Sequence, residues 1–468
     1  MTEFLDLLLH YSTIGADNIW WPVVILLLAG TGIYLSFQTG FIQIRRLGLA
    51  FKLMFRGRDK EEMEGRTGDI TPFQALMTAL AATVGNGNIA GVATAIASGG
   101  PGAPFWMWMT AVFGMATKYA EGMLGLHFRV RNEDGTYSGG AMYYLRDGIR
   151  WKAFGKFLAL WFSIAVIVMA TFGSGNMAQS NSIALALNSD FGIPFIGTGI
   201  GLAILVGIVI IGGVKRIAAV AERLVPGMIV LYMGAGMYVI LTNVLVIPDI
   251  IMIVLRSALT NEAMVGGFLG HTVKEAIRYG IARGLFSNES GLGSAPIVAA
   301  AAQTKNPVRQ ALVSSTGTFW DTVVVCAMTG LVVVNSGEWM NGLRGAELTN
   351  TAFTDIPLVG PIVLTIGLLT FVFSTILGWS YYGEKAAEYL WGPRVVAPYR
   401  WLWVVAVMLG SILSLPIVWT FADIANGLMA IPNLITLLVL TGVLIAETRT
   451  YLWNGTIDAD IKNTDTNH

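Results

Sequence analysis

Most of this sequence consists of long apolar stretches separated by short polar ones, and the stretches recur too often to be the interior of a water-soluble domain. A helix needs on the order of twenty mostly apolar residues to cross the hydrocarbon core of a bilayer. Runs of that kind sit near 19–40, 72–99, 103–127, 156–188, 194–213, 225–246, 276–302, 309–335, 358–382, 399–416 and 420–446. Within each the apolar residues are continuous rather than alternating, which fits helices and excludes a membrane barrel of strands. The chain is therefore expected to be an all-α membrane protein with about eleven transmembrane helices.

Two of these runs are interrupted in the same manner. The second contains Thr83-Val84-Gly85-Asn86-Gly87-Asn88-Ile89-Ala90-Gly91, and the seventh contains Phe286-Ser287-Asn288-Glu289-Ser290-Gly291-Leu292-Gly293-Ser294. Glycine lowers the cost of leaving helical geometry, and polar groups at this depth are tolerated only where they face protein or a water-filled cavity. Taken singly, either segment also suits close helix packing, since Gly85, Gly87 and Gly91 have the small-residue spacing of a helix contact. Taken together they open two comparable halves, five runs in 72–246 and five in 276–446. An odd number of spans per half inverts the second half relative to the first, the plan of an inverted repeat whose substrate site lies between the broken helices. The expected layout is an N-terminal segment with one extra helix and a basic cytoplasmic loop (1–71), a first repeat (72–246), an external connection (247–275), a second, inverted repeat (276–446) and a cytoplasmic tail (447–468).

Composition agrees with a membrane location. Of 468 residues 54% are hydrophobic and 12% charged, against roughly a quarter charged in soluble domains. The net charge is zero, so nothing points to nucleic acid. Cys326 is the single cysteine, which excludes an internal disulfide and a cysteine metal cluster. His10, His127, His271 and His468 have no metal-ligand spacing. The residues before the first run include Glu3, Asp6 and Asp17 and no lysine or arginine, unlike a cleaved secretory signal, so the terminus is expected to be mature. Basic residues concentrate in 41–71 (Arg45, Arg46, Lys52, Arg56, Arg58, Lys60, Arg66), 128–155, 214–224, 303–308, 383–398 and the tail, with Arg256, Lys274 and Arg344 the clear exceptions. That bias places the N-terminus outside and the C-terminus in the cytoplasm. Tyr143, Tyr144 and Leu145 beside Arg146 and Arg150 suggest an amphipathic helix on the cytoplasmic surface, or else a solvated loop. Trp20, Trp21, Trp339 and Trp453 fall near the expected interfaces, where such rings anchor.

The stretch Gly99-Gly100-Pro101-Gly102-Ala103-Pro104-Phe105-Trp106-Met107-Trp108, followed by Gly114, resembles the signature of the alanine or glycine:cation symporter (sodium:alanine symporter) family, with Pro104 standing where an aliphatic residue is expected. Val84 to Gly91, Gly284 to Pro296 and Phe373 to Trp379 match further family segments in the family's order. The resemblance implies a leucine-transporter-like fold: ten core helices in two inverted five-helix repeats, here with one extra N-terminal helix at 19–40. It also implies symport of small neutral amino acids such as alanine and glycine across the cell membrane, driven by sodium or less often by protons. No organic cofactor and no obligate protein partner are expected.

A zwitterion at the bilayer midplane needs a partner for each end, because an unpaired charge there costs several kcal/mol. The free N–H groups where a broken helix restarts suit a carboxylate, which assigns Asn86, Gly87 and Asn88 to it. Carbonyls ending the first halves suit the ammonium, which places Thr83, Phe286 and Ser287 around it, with Asn288 and Gln179 as further polar contacts. Alternatively, Asn86 and Asn88 make interhelical hydrogen bonds that only hold the break open. Sodium prefers hard oxygen ligands and needs no carboxylate cage. Ser374 and Thr375 lie where leucine-transporter-like folds hold a sodium, and carbonyls of Ala81 and Val84 would complete that site. The competing role for both hydroxyls is bonding to their own helix.

Of the charges expected within spans, Lys118 and Glu121, three apart on one helix, suggest a mutual structural pair. Glu289 would assist the ammonium, lie near an ion, carry a proton or pair with Arg283; Asp321 is also intramembrane. Ser174, Asn176 and Gln179 form a polar stripe, and Trp379 either gates the cavity or packs the core. A channel would also use broken glycine-rich helices, yet channels repeat one filter around a symmetric pore, whereas these two breaks are unlike. No nucleophile motif, histidine–carboxylate cluster or phosphate loop is present, which argues against a membrane enzyme or an ATP-driven pump.

Overall fold

A computed structural model describes residues 23–56, 66–260, 273–354, 360–413 and 416–458. Glu3, Asp6, Asp17, Trp20, Trp21, Arg58, Lys60, His10, His271 and His468 lie outside the described residues, as do 261–272 of the external connection and the tail beyond 458.

The described chain is helical except for a two-residue hairpin, β1 (Val130–Arg131) and β2 (Tyr137–Ser138). In order, the helices are α1 (Ile25–Gln38), α2 (Leu47–Arg56), α3 (Pro72–Thr83), α4 (Val92–Gly99), α5 (Ala103–His127), α6 (Ala141–Gly148), α7 (Lys152–Phe172), α8 (Met177–Phe191), α9 (Phe195–Ile210) and α10 (Gly213–Thr242). There follow α11 (Ile247–Leu259), α12 (Val273–Asn288), α13 (Ala295–Ala299), α14 (Pro307–Thr318), α15 (Ala327–Ser336), α16 (Gly345–Phe353), α17 (Gly360–Trp391), α18 (Val396–Ile412), α19 (Pro416–Val439) and α20 (Thr441–Thr448).

Burial is inverted relative to a soluble protein. Ile196, Ile200, Ile204, Leu205 and Ile208 of α9 are exposed, while Asn88, Glu121, Asn176 and Asp321 are fully buried. An apolar exterior over a polar interior is the arrangement a bilayer imposes. Among the described residues five helices are long and apolar enough to cross a membrane, and two bent pairs raise that to seven. α1 and α9 are apolar but shorter. α5 and α12 carry charged residues within them, Lys118 and Glu121 in α5, Arg278 and Arg283 in α12.

Several runs differ in detail from their sequence pattern. The run 156–188 is two helices, α7 and α8, separated by Gly173-Ser174-Gly175-Asn176. The stretch 214–224, expected as a loop, is the first part of α10, because Lys215, Arg216, Glu222 and Arg223 are all good helix formers. α14 and α15 are joined by a widened turn, Phe319–Cys326, and the final run bends by 59° after Val439. The expected amphipathic surface helix exists as α6, but Tyr144 and Leu145 are buried under protein, Tyr144 Oη donating to Asn433 Oδ1. Its apolar face is taken by neighbouring helices rather than by lipid.

Candidate functional site

The first interruption begins where α3, started by the Thr71 cap and its reciprocal bond with Gln74, ends at Thr83. Val84 is extended and forms the bend with Gly85, Asn86 is already helical, a widened turn spans Gly87–Gly91, and α4 restarts at Val92, with the two axes 56° apart. Unwinding is therefore concentrated at 84–85, and 86–91 stays helical with a wider turn. Asn88 holds the bend: its Oδ1 accepts from Gly85 N (2.8 Å), while its Nδ2 donates to Asp321 Oδ1 (2.7 Å). Gly85 is required sterically, since a Cβ there would lie 2.5 Å from Thr375 Oγ1.

At the second interruption α12 ends at Asn288, Glu289 takes a left-handed conformation (φ 54°), and Gly291 (φ 93°) and Gly293 (φ 80°) carry the chain to α13. Only glycine adopts such φ values at little cost. Lys118 and Glu121 of α5, expected to pair with each other, divide the break between them instead. Glu121 Oε1 accepts from Gly293 N (2.8 Å), Gly291 N (3.1 Å) and Asn433 Nδ2 (2.7 Å), and Lys118 Nζ donates to Glu289 O (3.2 Å). The unpaired backbone groups of the break offer each charge a stronger partner than its helix neighbour. Glu289 does not pair with Arg283, whose guanidinium lies over the Phe286 ring; its carboxylate accepts from Ser294 Oγ (2.6 Å) and Trp379 Nε1 (3.1 Å).

Asp321, in the widened turn of the eighth run, links the two interruptions. Its carboxylate accepts from Asn88 of the first, from Ser287 Oγ at the second (3.1 Å) and from Thr322 Oγ1 (2.7 Å). The sequence marked Asp321 as intramembrane but gave no sign of this bridging position.

Between the interruptions lies a narrow cavity of about 20 Å³ that opens at its mouth. Of the expected substrate residues, Thr83, Asn86, Gly87, Phe286, Ser287 and Gln179 line it. Asn88 and Asn288 do not: both are fully buried, Asn88 on Gly85 and Asp321, Asn288 donating to Thr322 Oγ1 (3.2 Å). For Asn88 the role of holding the break open is the one the geometry displays. The polar stripe divides, Ser174 and Gln179 reaching the cavity and Asn176 donating to Trp403 O (3.1 Å). Glu289, Thr375 and Trp379 also line the cavity, with Met169, Leu292 and Asn426, none of which the sequence singled out. The signal for Asn426 was available, because a carboxamide in an apolar span must face inward. Asn86 Oδ1, Gln179 Oε1 and Asn426 Oδ1 are buried without hydrogen-bond partners. Three idle acceptors around one cavity suit a cationic donor group.

Beside Gly85, Ser374 Oγ lies 3.3 Å from Ala81 O and Thr375 Oγ1 lies 3.5 Å from Val84 O. All four expected cation ligands are thus in one place. Each hydroxyl has a single proton and a shorter bond for it, to Phe371 O, at 2.8 Å for Ser374 and 3.0 Å for Thr375. The two hydroxyl oxygens and the two carbonyls then face one another as acceptors, an arrangement that a monovalent cation relieves. Both hydroxyls thus make the bond to their own helix that the competing role describes, with their lone pairs facing the two carbonyls.

A family model for the sodium:alanine symporter family matches residues 7–464. The sodium/alanine symporter AgcS of Methanococcus maripaludis is 48% identical over 437 residues, 92% of this chain and 95% of that one. An uncharacterised transporter of Haemophilus influenzae is 50% identical over 92% of this chain and 94% of its own length, and the probable sodium/glutamine symporter GlnT of Bacillus subtilis is 35% identical over 95% and 91%. Among solved structures, MhsT in complex with L-phenylalanine covers 85% of this chain and 94% of its own with a TM-score of 0.52 at 17% identity, a likeness of fold. Matched over nearly its whole length, this chain belongs to the sodium:alanine symporter family, whose members are membrane transporters and not enzymes.

Proposed function

We propose that this protein carries small neutral amino acids, alanine and glycine, into the cell together with sodium by alternating access. The observation that carries the proposal is the pairing of Ala81 and Val84 carbonyls with the Ser374 and Thr375 hydroxyls directly beside the cavity, so that cation and substrate share one interruption. The substrate carboxylate meets the chain just past the bend, at Asn86 and Gly87, and its ammonium meets the idle oxygens of Asn86, Gln179 and Asn426 together with Glu289. Met169, Phe286, Leu292 and Trp379 give the cavity an apolar wall, which suits a short apolar side chain. The sodium and alanine in the name of the M. maripaludis relative support the same choice.

In this proposal the eleven apolar runs are spans, with the N-terminus outside and the C-terminus cytoplasmic; 72–246 and 276–446 are inverted repeats, joined by the external connection 247–275 and flanked by 1–71 and 447–468. Sodium bound at Ser374 and Thr375 ties α17 to the first interruption, and its release lets one helix bundle rock against the other. Asp321, bonded to both interruptions, keeps their motions together. Protein reconstituted in liposomes should concentrate labelled alanine only under an inward sodium gradient; flux without concentration would indicate a channel. Proton coupling is the second reading, because the Glu289 carboxylate lines the cavity and accepts only from Ser294 and Trp379. It requires accumulation in sodium-free buffer under a pH gradient.

A further inference from the structure

Away from the transport cavity, a second pocket of about 220 Å³ lies between the C-terminal end of α1 and the end of α20. Gly40, Arg45, Thr448, Arg449 and Trp453 line it. The guanidiniums of Arg45 and Arg46 each lie 4.9 Å from the Trp453 ring centre. Among the described residues Arg45, Arg46 and Arg449 have no carboxylate partner, and Arg46 Nε is buried without a hydrogen bond. The acid on the same turn, Glu447, faces His127 instead (3.4 Å). Arg45 and Arg449 line one pocket and Arg46 shares the Trp453 ring with Arg45, with no counter-charge among the described residues, and stacking two guanidiniums on one indole fixes their positions without neutralising them. Such a cluster is built for an anion supplied from outside.

We infer that this pocket takes the phosphate of an anionic phospholipid from the cytoplasmic leaflet. Guanidinium forks match phosphate oxygens geometrically, and basic pockets at the cytoplasmic ends of membrane helices hold such headgroups. A lipid is favoured over a free phosphate by the surface that continues from the pocket: Ile33, Phe37 and Ile44 are exposed beside it, an apolar track for acyl chains. The site has a structural consequence. α19, which carries Asn433 and through it Glu121 at the second interruption, continues through the 59° bend into the segment bearing Arg449 and Trp453. A bound headgroup fastens that segment to the end of α1 and so braces the far end of the helix that holds the break.

The full-length protein purified in detergent and mixed with phosphatidylglycerol or phosphatidylcholine gives the test, read by retained lipid in native mass spectra and by melting temperature. Phosphatidylglycerol should be retained and should raise the melting temperature, phosphatidylcholine should do neither, and millimolar inorganic phosphate should not displace the lipid. The R45Q/R46Q/R449Q variant should lose retention, by about fivefold for each arginine removed. R449Q alone, changed at an exposed position, serves if the triple variant does not fold, and should lose about fivefold. Equal retention by wild type and R449Q, or equal retention of the two lipids, overturns the assignment. Displacement by inorganic phosphate overturns the lipid as occupant and leaves a soluble-anion site.

Discussion

At the first interruption the unwound backbone is held by a carboxamide and faces two hydroxyls; at the second it is held by a full carboxylate and an ammonium. Asn88 caps Gly85 and leaves the carbonyls of Ala81 and Val84 turned toward Ser374 and Thr375. Glu121 and Lys118 take the Gly291 and Gly293 amides and the Glu289 carbonyl for themselves. The first break leaves two carbonyl oxygens facing two hydroxyls, whereas at the second the free amides already have the protein's own carboxylate as acceptor. On the proposed reading the driving cation sits at the first break, and the second contributes Glu289 and part of the cavity wall.

The largest effect separating the two should come from Glu121→Ala. It leaves the Gly291 and Gly293 amides without an acceptor, each costing about 1–3 kcal/mol, while Asn433 Nδ2 keeps only the Gly291 carbonyl, so the yield of folded protein in detergent should collapse whether or not sodium is present. Next, Ser374→Ala with Thr375→Ala should leave folding and melting temperature nearly unchanged but abolish sodium-dependent uptake. Gly85→Ala, whose Cβ would press on the Thr375 hydroxyl, should raise the half-saturating sodium concentration about tenfold, a cost within the usual range for overpacking. The smallest change is expected from Trp379→Phe, which removes one donor from Glu289: alanine KM should rise roughly threefold, the size of one net hydrogen bond, with the sodium dependence intact. If Gly85→Ala instead changed alanine KM and left sodium half-saturation alone, the division of labour between the breaks would be reversed.

Both interruptions were legible because glycine beside asparagine inside an apolar run weakens the helix and cannot face lipid, and the proximity of Ser374 and Thr375 to Ala81 and Val84 followed from the resemblance. The partners of Lys118 and Glu121 were not. Spacing along one helix suggested a mutual pair, while their actual partners lie about 170 residues away and are backbone groups that exist only because the second helix breaks. Asp321 was seen as a buried charge, but its bonds to Asn88 and Ser287 depend on a widened turn that no local pattern announces. Asn88 and Asn288 show the converse: the right residue types at the right depth, turned toward neighbouring helices rather than the cavity. Depth and polarity can be read from a sequence, whereas the direction of a side chain around a non-helical segment is set by packing.

The most direct test is alanine binding to the purified protein at rising sodium concentration, comparing wild type, the Ser374→Ala/Thr375→Ala double variant and Lys118→Met. Sodium should tighten alanine binding in wild type and in any Lys118→Met protein that folds, and should have no effect on the double variant. Retention of sodium-enhanced binding by the double variant would contradict the placement of the driving cation at the first break.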